Sequence, residues 1–117
     1  MTHVLDYVGG NDGNITGAVQ IEAGYLGKGF SFDGDDYVNV GNDASLNFVD
    51  SDFTISLWVK PDGLAADKML FDRGLYNTAG YSLRGYAGGS VSLYTFQSGA
   101  ATGVGSISIL SVGEWSH

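Results

Sequence analysis

A chain of 117 residues is long enough for one domain with its own core and short for two ordinary ones. Five basic residues against thirteen acidic ones give a formal charge of −8, which argues against nucleic acid and anionic membranes as partners, because both select for Lys and Arg. Cysteine is absent, which excludes disulfide staples, thiol nucleophiles and thiolate zinc sites.

Nineteen glycines, one proline and abundant aromatics describe a folded, turn-dense chain, and the acids are Asp throughout except Glu22 and Glu114, a balance suited to turns and not to long helices. The start, Met1-Thr2-His3-Val4-Leu5-Asp6, has neither the basic nor the apolar region of a signal peptide, and no apolar run reaches the ~20 residues of a membrane span. Residues 29–32 and 37–40 read as two short strands joined by the turn formers Asp33-Gly34-Asp35-Asp36, which predicts a hairpin. Alternation is clearest over residues 53–60: Phe53, Ile55, Leu57 and Val59 share one face of a strand and Thr54, Ser56, Trp58 and Lys60 the other. Pro61 ends it, having no N–H for a ladder. Leu64 to Leu70 has helix-forming composition but is too short for a stable helix, so it reads as a loop or short turn. Residues 81–86 and 91–96 flank Ala87-Gly88-Gly89-Ser90 as a second hairpin. Ser106 to Leu110 alternates again, and a last strand begins near Gly113. Short strands at turn-punctuated intervals predict an all-β antiparallel sandwich or barrel.

Three segments together resemble the laminin-G-like, concanavalin A-like jelly-roll family. Asp6-Tyr7-Val8-Gly9-Gly10-Asn11-Asp12-Gly13 is similar to that family's opening loop, with Val8 and Gly9-Gly10-Asn11 standing for its Ser-Gly-Asn. Gly27 to Phe48, followed by Asp52 to Pro61, has the order and spacing of its hairpin, loop and long strand. Val112-Gly113-Glu114-Trp115-Ser116-His117 looks like the start of a later strand. The resemblance implies an antiparallel jelly-roll β-sandwich, concanavalin A-like, forming a single domain over residues 1–117, with the family's closing strands lying beyond His117. Phe30, Phe32, Val38, Val40, Leu46, Phe53, Ile55, Leu57, Val59, Leu83, Val91 and Leu93 are its expected interior.

The resemblance also implies a structural Ca²⁺ site. Asp12, Asp33, Asp35 and Asp36 would meet at one end of the sandwich, where a hard cation takes six to eight oxygens; Asp12, Asp33 and Asp36 are the expected ligands, although tight turns use Asp and Gly without any metal. Sugar recognition pairs an aromatic face with polar groups on a rim. The candidate contacts are Trp58, which would be core instead if its strand were covered on both faces, and Tyr76 and Asn77 in the loop over residues 73–80. Tyr81, Tyr86 and Tyr94 are further aromatic platforms, and Arg73 and Arg84 are expected to be solvated. A glycosidase on such a sandwich needs two carboxylates ~5–5.5 Å apart, and no Glu-x-Asp-x-x-Glu run is present. His3 and His117 lie at opposite ends without a triad or zinc pattern. The expectation is therefore a non-catalytic module that binds glycan or another surface polymer, extracellular or at a cell surface, with no nucleic-acid or membrane-inserting role. A structural or protein-adhesion module is the alternative, and a non-catalytic remnant of a polysaccharide-degrading enzyme the third reading.

Overall fold

The computed structural model describes all residues except Val49, Asp50, Ala66 and Ser108. Ala66 and Ser108, which fall inside the predicted stretches 64–70 and 106–110, therefore lie outside the described residues. The described chain is all-β: every ladder is antiparallel, and the helical content is one short 3₁₀ turn. It divides into two compact units, Met1–Thr54 and Ile55–His117.

In the first unit, β1 (His3–Val4) pairs with β2 (Gly13–Thr16), and β2 pairs with β5 (Tyr37–Asn39). A second ladder joins β3 (Val19–Ile21) to β4 (Gly29–Ser31). The predicted hairpin between residues 29–32 and 37–40 does not form: β4 turns to β3 and β5 to β2. Both strands exist, but each finds an earlier partner, so the two ladders follow one another along a single long arm. Gly17-Ala18 sits opposite residues 32–36 where the arm is interrupted. Asp33-Gly34-Asp35-Asp36 is thus a bulge in the arm and not its tip, with Asp36 Oδ2 accepting from Asp33 N at 3.0 Å. Phe32, expected inside, lies at this interruption and is 52% exposed, because the break in pairing releases it from the alternation of β4. Asp43 then caps the 3₁₀ turn Ala44–Leu46 by accepting from Ser45 N.

The second unit is organised by a four-stranded sheet in the order β6-β7-β8-β9: β6 (Lys68–Leu75), β7 (Ala79–Gly85), β8 (Val91–Gln97) and β9 (Ala100–Gly105). The hairpin predicted around residues 87–90 is present, closed by Tyr86 N donating to Ser90 O and Gly89 N to Tyr86 O. The loop expected over residues 73–80 is a tighter hairpin turn, since Arg73 to Leu75 and Ala79-Gly80 are already paired in β6 and β7. The strand expected at 106–110 sits earlier, as β9. Ala100–Gly105 shows no alternation for a sequence reading to detect, yet Gly103 lies opposite Tyr94, and a Cβ there would come within 2.6 Å of the ring. Small residues let the ring lie across β9. The two margins of the sheet differ: β6 carries Lys68, Asp72, Arg73 and a bulge between Met69 and Phe71, whereas β9 is exposed along its length and uncharged.

Residues 53–60 keep their predicted alternation, with Phe53, Ile55, Leu57 and Val59 half-buried and the intervening side chains exposed. The ladder is shorter than expected, consisting of a bridge between Val59 and Ser116 with N–O distances of 2.9 and 2.8 Å. Alternation specifies which side chains leave water, not which backbone answers the N–H groups. Ile55, Leu57 and Val59 line an apolar cavity of about 240 Å³ with Leu70, Leu83, Val91, Ile109 and Leu110. Side chains of β7 and β8 alternate across the sheet, so the face bearing Leu83 and Val91 turns toward this cavity, and Ser82, Arg84, Tyr94 and Phe96 occupy the opposite face. Fully burying a side chain such as Phe96 or Leu110 contributes roughly 1.5–3 kcal/mol.

Candidate functional site

The face of the β6–β9 sheet turned away from the apolar cavity carries a compact group of aromatic and polar side chains. Pairing of Ser82 with Tyr94 and of Gly80 with Phe96 sets these residues side by side. Ser82 is fully buried and accepts a hydrogen bond from Arg84 Nε at 3.1 Å. Arg84 Nη1 donates to Asp67 Oδ1 at 3.1 Å, an ion pair whose arginine side chain is 10% exposed and whose aspartate is 57% exposed. The guanidinium lies 5.1 Å from the centre of the Tyr76 ring and 5.7 Å from that of Tyr94, within the range of cation–π attraction. Arg84 is therefore buried and flanked, not solvated as the sequence suggested. Its signal was invisible in the chain, because the aromatic residues around it come from a turn and a neighbouring strand.

Tyr76 stands at the β6–β7 turn and is 56% exposed as a residue, its ring 5.2 Å from that of Phe96 at a tilt of 58°. Asn77 follows in the left-handed conformation, φ 56°, which Asn tolerates better than most residues. Thr78 N donates to Leu75 O, and Gly99 N to Asn77 O, so the turn is held from both sides. Asn77 Oδ1 is buried, with no hydrogen-bond partner among the described residues. Asn77 therefore shapes the turn that presents Tyr76. Beside them Tyr86 donates its hydroxyl to Tyr94 at 3.0 Å, and this bond above all pushes the Tyr86 phenol up to about 12. The Tyr86 hydroxyl therefore stays protonated through neutral pH. Tyr81, on the cavity-facing parity, is buried and stacked on Phe71 at 5.7 Å, and burial raises its phenol; it is core and not a platform.

Trp58 is 38% exposed, its ring 5.0 Å from that of His117, whose Nε2 lies 2.7 Å from Ser56 Oγ. Its segment covers the cavity side of the sheet, so Trp58 and Tyr76 belong to separate surfaces of this unit. The sequence placed both in one sugar-contact set; the structure does not bring them together.

Asp33, Asp35 and Asp36 offer carboxylate oxygens all within 4.8 Å of one another. Repulsion from Asp36 first, then desolvation and Asp35, raises the Asp33 carboxyl above its ordinary value. Three hard oxygen donors with uncompensated negative charge fit Ca²⁺ in chemical type. Asp12 is not part of this group: its Oδ1 accepts from Asp6 N at 2.9 Å within the opening loop, and Asp35 stands where Asp12 was expected. That loop is organised by Asp6, whose carboxylate accepts from Val8, Gly9 and Asn11 N at 2.9 to 3.0 Å.

No curated protein and no solved structure matches the chain significantly. A family model does match, that of the concanavalin A-like lectin/glucanases superfamily, over residues 32–117. The match starts beside the acidic bulge and runs through the alternating segment 53–60, the whole β6–β9 sheet and Trp115, so the chain belongs to the concanavalin A-like lectin/glucanase superfamily.

Proposed function

We propose that this domain is a non-catalytic carbohydrate-binding module, extracellular or at a cell surface, and that the rim of the β6–β9 sheet at the β6–β7 turn, where Tyr76 is exposed, holds the saccharide. The observation that carries this reading is Tyr76: an aromatic residue more than half exposed, its ring braced on its inner side by Phe96 and Arg84. A fixed ring offers its face to the C–H side of a pyranose with little loss of side-chain entropy, and the Tyr86–Tyr94 hydroxyl pair and Arg84 supply nearby polar partners for sugar hydroxyls. Superfamily membership supports the carbohydrate class, and fold alone does not select among ligands. The absence of a catalytic role is inferred from the sequence, where the two glutamates lie in unrelated segments. Asp33, Asp35 and Asp36 would hold a Ca²⁺ ion, which when bound supplies positive charge that locks the bulge; no step of sugar binding is routed through it.

The test is affinity measurement on a panel of oligosaccharides. Tyr76→Ala is expected to weaken binding by up to about tenfold, a loss in the range of stacking contacts, while Trp58→Ala leaves affinity unchanged. Failure of the unaltered protein to bind any saccharide would favour the protein-adhesion reading. Equal loss from both substitutions would move the site away from this rim.

A further inference from the structure

Resting on the carbohydrate reading, the geometry points to a narrower ligand class: we propose that the saccharide carries a carboxylate, a uronic acid unit, and that this group replaces Asp67 at Arg84. Arg84 is the one charged side chain among the described residues that is buried, and it lies on the same sheet face as the exposed Tyr76 ring, 5.1 Å from its centre. A guanidinium between aromatic rings is shielded from water, so an approaching carboxylate meets a strong and weakly hydrated partner. Planar carboxylates suit it because its parallel N–H groups match two oxygens at once.

The partner already present looks replaceable. Among the described residues Asp67 accepts one hydrogen bond, from Arg84 Nη1 to its Oδ1, and the guanidinium's Nε donates to Ser82, so donor capacity remains. Asp67 is more than half exposed, precedes β6 and sits in the left-handed conformation, φ 56°. It neutralises the buried charge of Arg84, and a buried charge without a partner is costly. A sugar seated at the edge of the Tyr76 ring, where Tyr76 and Asp67 are both more than half exposed, would bring a ring carboxylate to the guanidinium from the side that Asp67 occupies, and there it does what Asp67 does with better geometry. The exchange forms one ion pair and releases another, so affinity depends on the difference between them.

The experiment compares three immobilised probes on the full chain: an oligogalacturonate, the corresponding neutral galactose oligomer and a sulfated one. The uronate is expected to bind about threefold more tightly than the neutral oligomer, the net of forming one charge-assisted pair and releasing another, and more tightly than the sulfated one. Asp67→Asn, which keeps the left-handed backbone accessible, should tighten uronate binding several-fold by removing the internal competitor and leave the neutral oligomer unaffected. Arg84→Gln should abolish the preference; if that variant does not fold, Asp67→Asn decides. Equal binding of uronate and neutral oligomers, or weaker uronate binding by Asp67→Asn, overturns the inference while leaving the carbohydrate reading standing. Preference for the sulfated oligomer overturns the carboxylate assignment. Loss of all three probes overturns both.

Discussion

Asp6 shows how one side chain organises a loop that has little secondary structure. Its two carboxylate oxygens take three backbone N–H groups, and these bonds, that to Val8 first, hold its carboxyl below the ordinary value of 3.8. The sign of the linkage follows: a carboxylate with a depressed folded pKa contributes stability at pH values above the unfolded one, and that contribution fades as pH falls through the folded value. Asp6→Asn should therefore lower the melting temperature at neutral pH, and the deficit should shrink as pH falls below the ordinary carboxylate range and through the depressed folded value. Thermal melts of both proteins across that range check it, and an equal deficit at every pH would mean the loop does not depend on the charge. The role of Asp6 was half legible: the family-like run from Asp6 to Gly13 marked the loop, but acceptance of backbone N–H groups by Asp6, and not a metal role for Asp12, emerges only from the backbone path. Arg84 was less legible still, because charge in a sequence reads as exposure unless its neighbours in space are known.

Among the elements, the long arm of the first unit depends on what stands at its interruption. Gly17 has φ 75°, and a Cβ placed on it would overlap Asp36 Oδ1. Gly10 has nearly the same φ, 74°, with nothing within 4 Å of a Cβ. Gly10→Ala thus measures the backbone strain alone, about 1 kcal/mol, and Gly17→Ala adds displacement of Asp36, for a total of roughly 2–3 kcal/mol. Chemical denaturation of the two variants separates them; equal losses would show that Asp36 moves aside without cost. The same arm explains which strands could be read in advance. Composition located β4 and β5, since short apolar alternation bounded by Asp and Gly is a local property. Their partners were not local: a turn-forming tetrapeptide fits a hairpin tip and a bulge equally well. β9 went unread because its residues are chosen for what they leave room for, the ring of Tyr94.

For the molecule as a whole, the net charge of −8 sets the background on which both proposed ligands act. A uronate polymer approaches against that field, and salt screens this long-range repulsion more than it weakens the short contact at buried Arg84, so binding should hold or tighten as salt rises. Calcium is drawn by the same field. With Asp33 held in its acid form more firmly than usual by its acidic neighbours, a cation relieves a repulsion that folding creates. The melting temperature in millimolar calcium should exceed that in chelator by several degrees at neutral pH, a shift of about 1 kcal/mol or more by mass action. The gain should vanish in Asp33→Asn, and an identical melt in both buffers would dismiss the ion. Fold class was legible at this scale because turn-rich composition, absent helical periodicity and the order of family-like segments agree with one another. The proposed ligand surface was not, since it is assembled from β7, β8 and the turn that separates β6 from β7.

The contrast between the two margins of the β6–β9 sheet limits what the domain does when crowded. Its bare outer strand leaves peptide groups that a neighbour's extended backbone would satisfy, but the opposite border, kinked and bearing ions of both signs, resists the same approach. Pairing through that open rim would therefore be expected to stop at two chains and not to grow into a fibre.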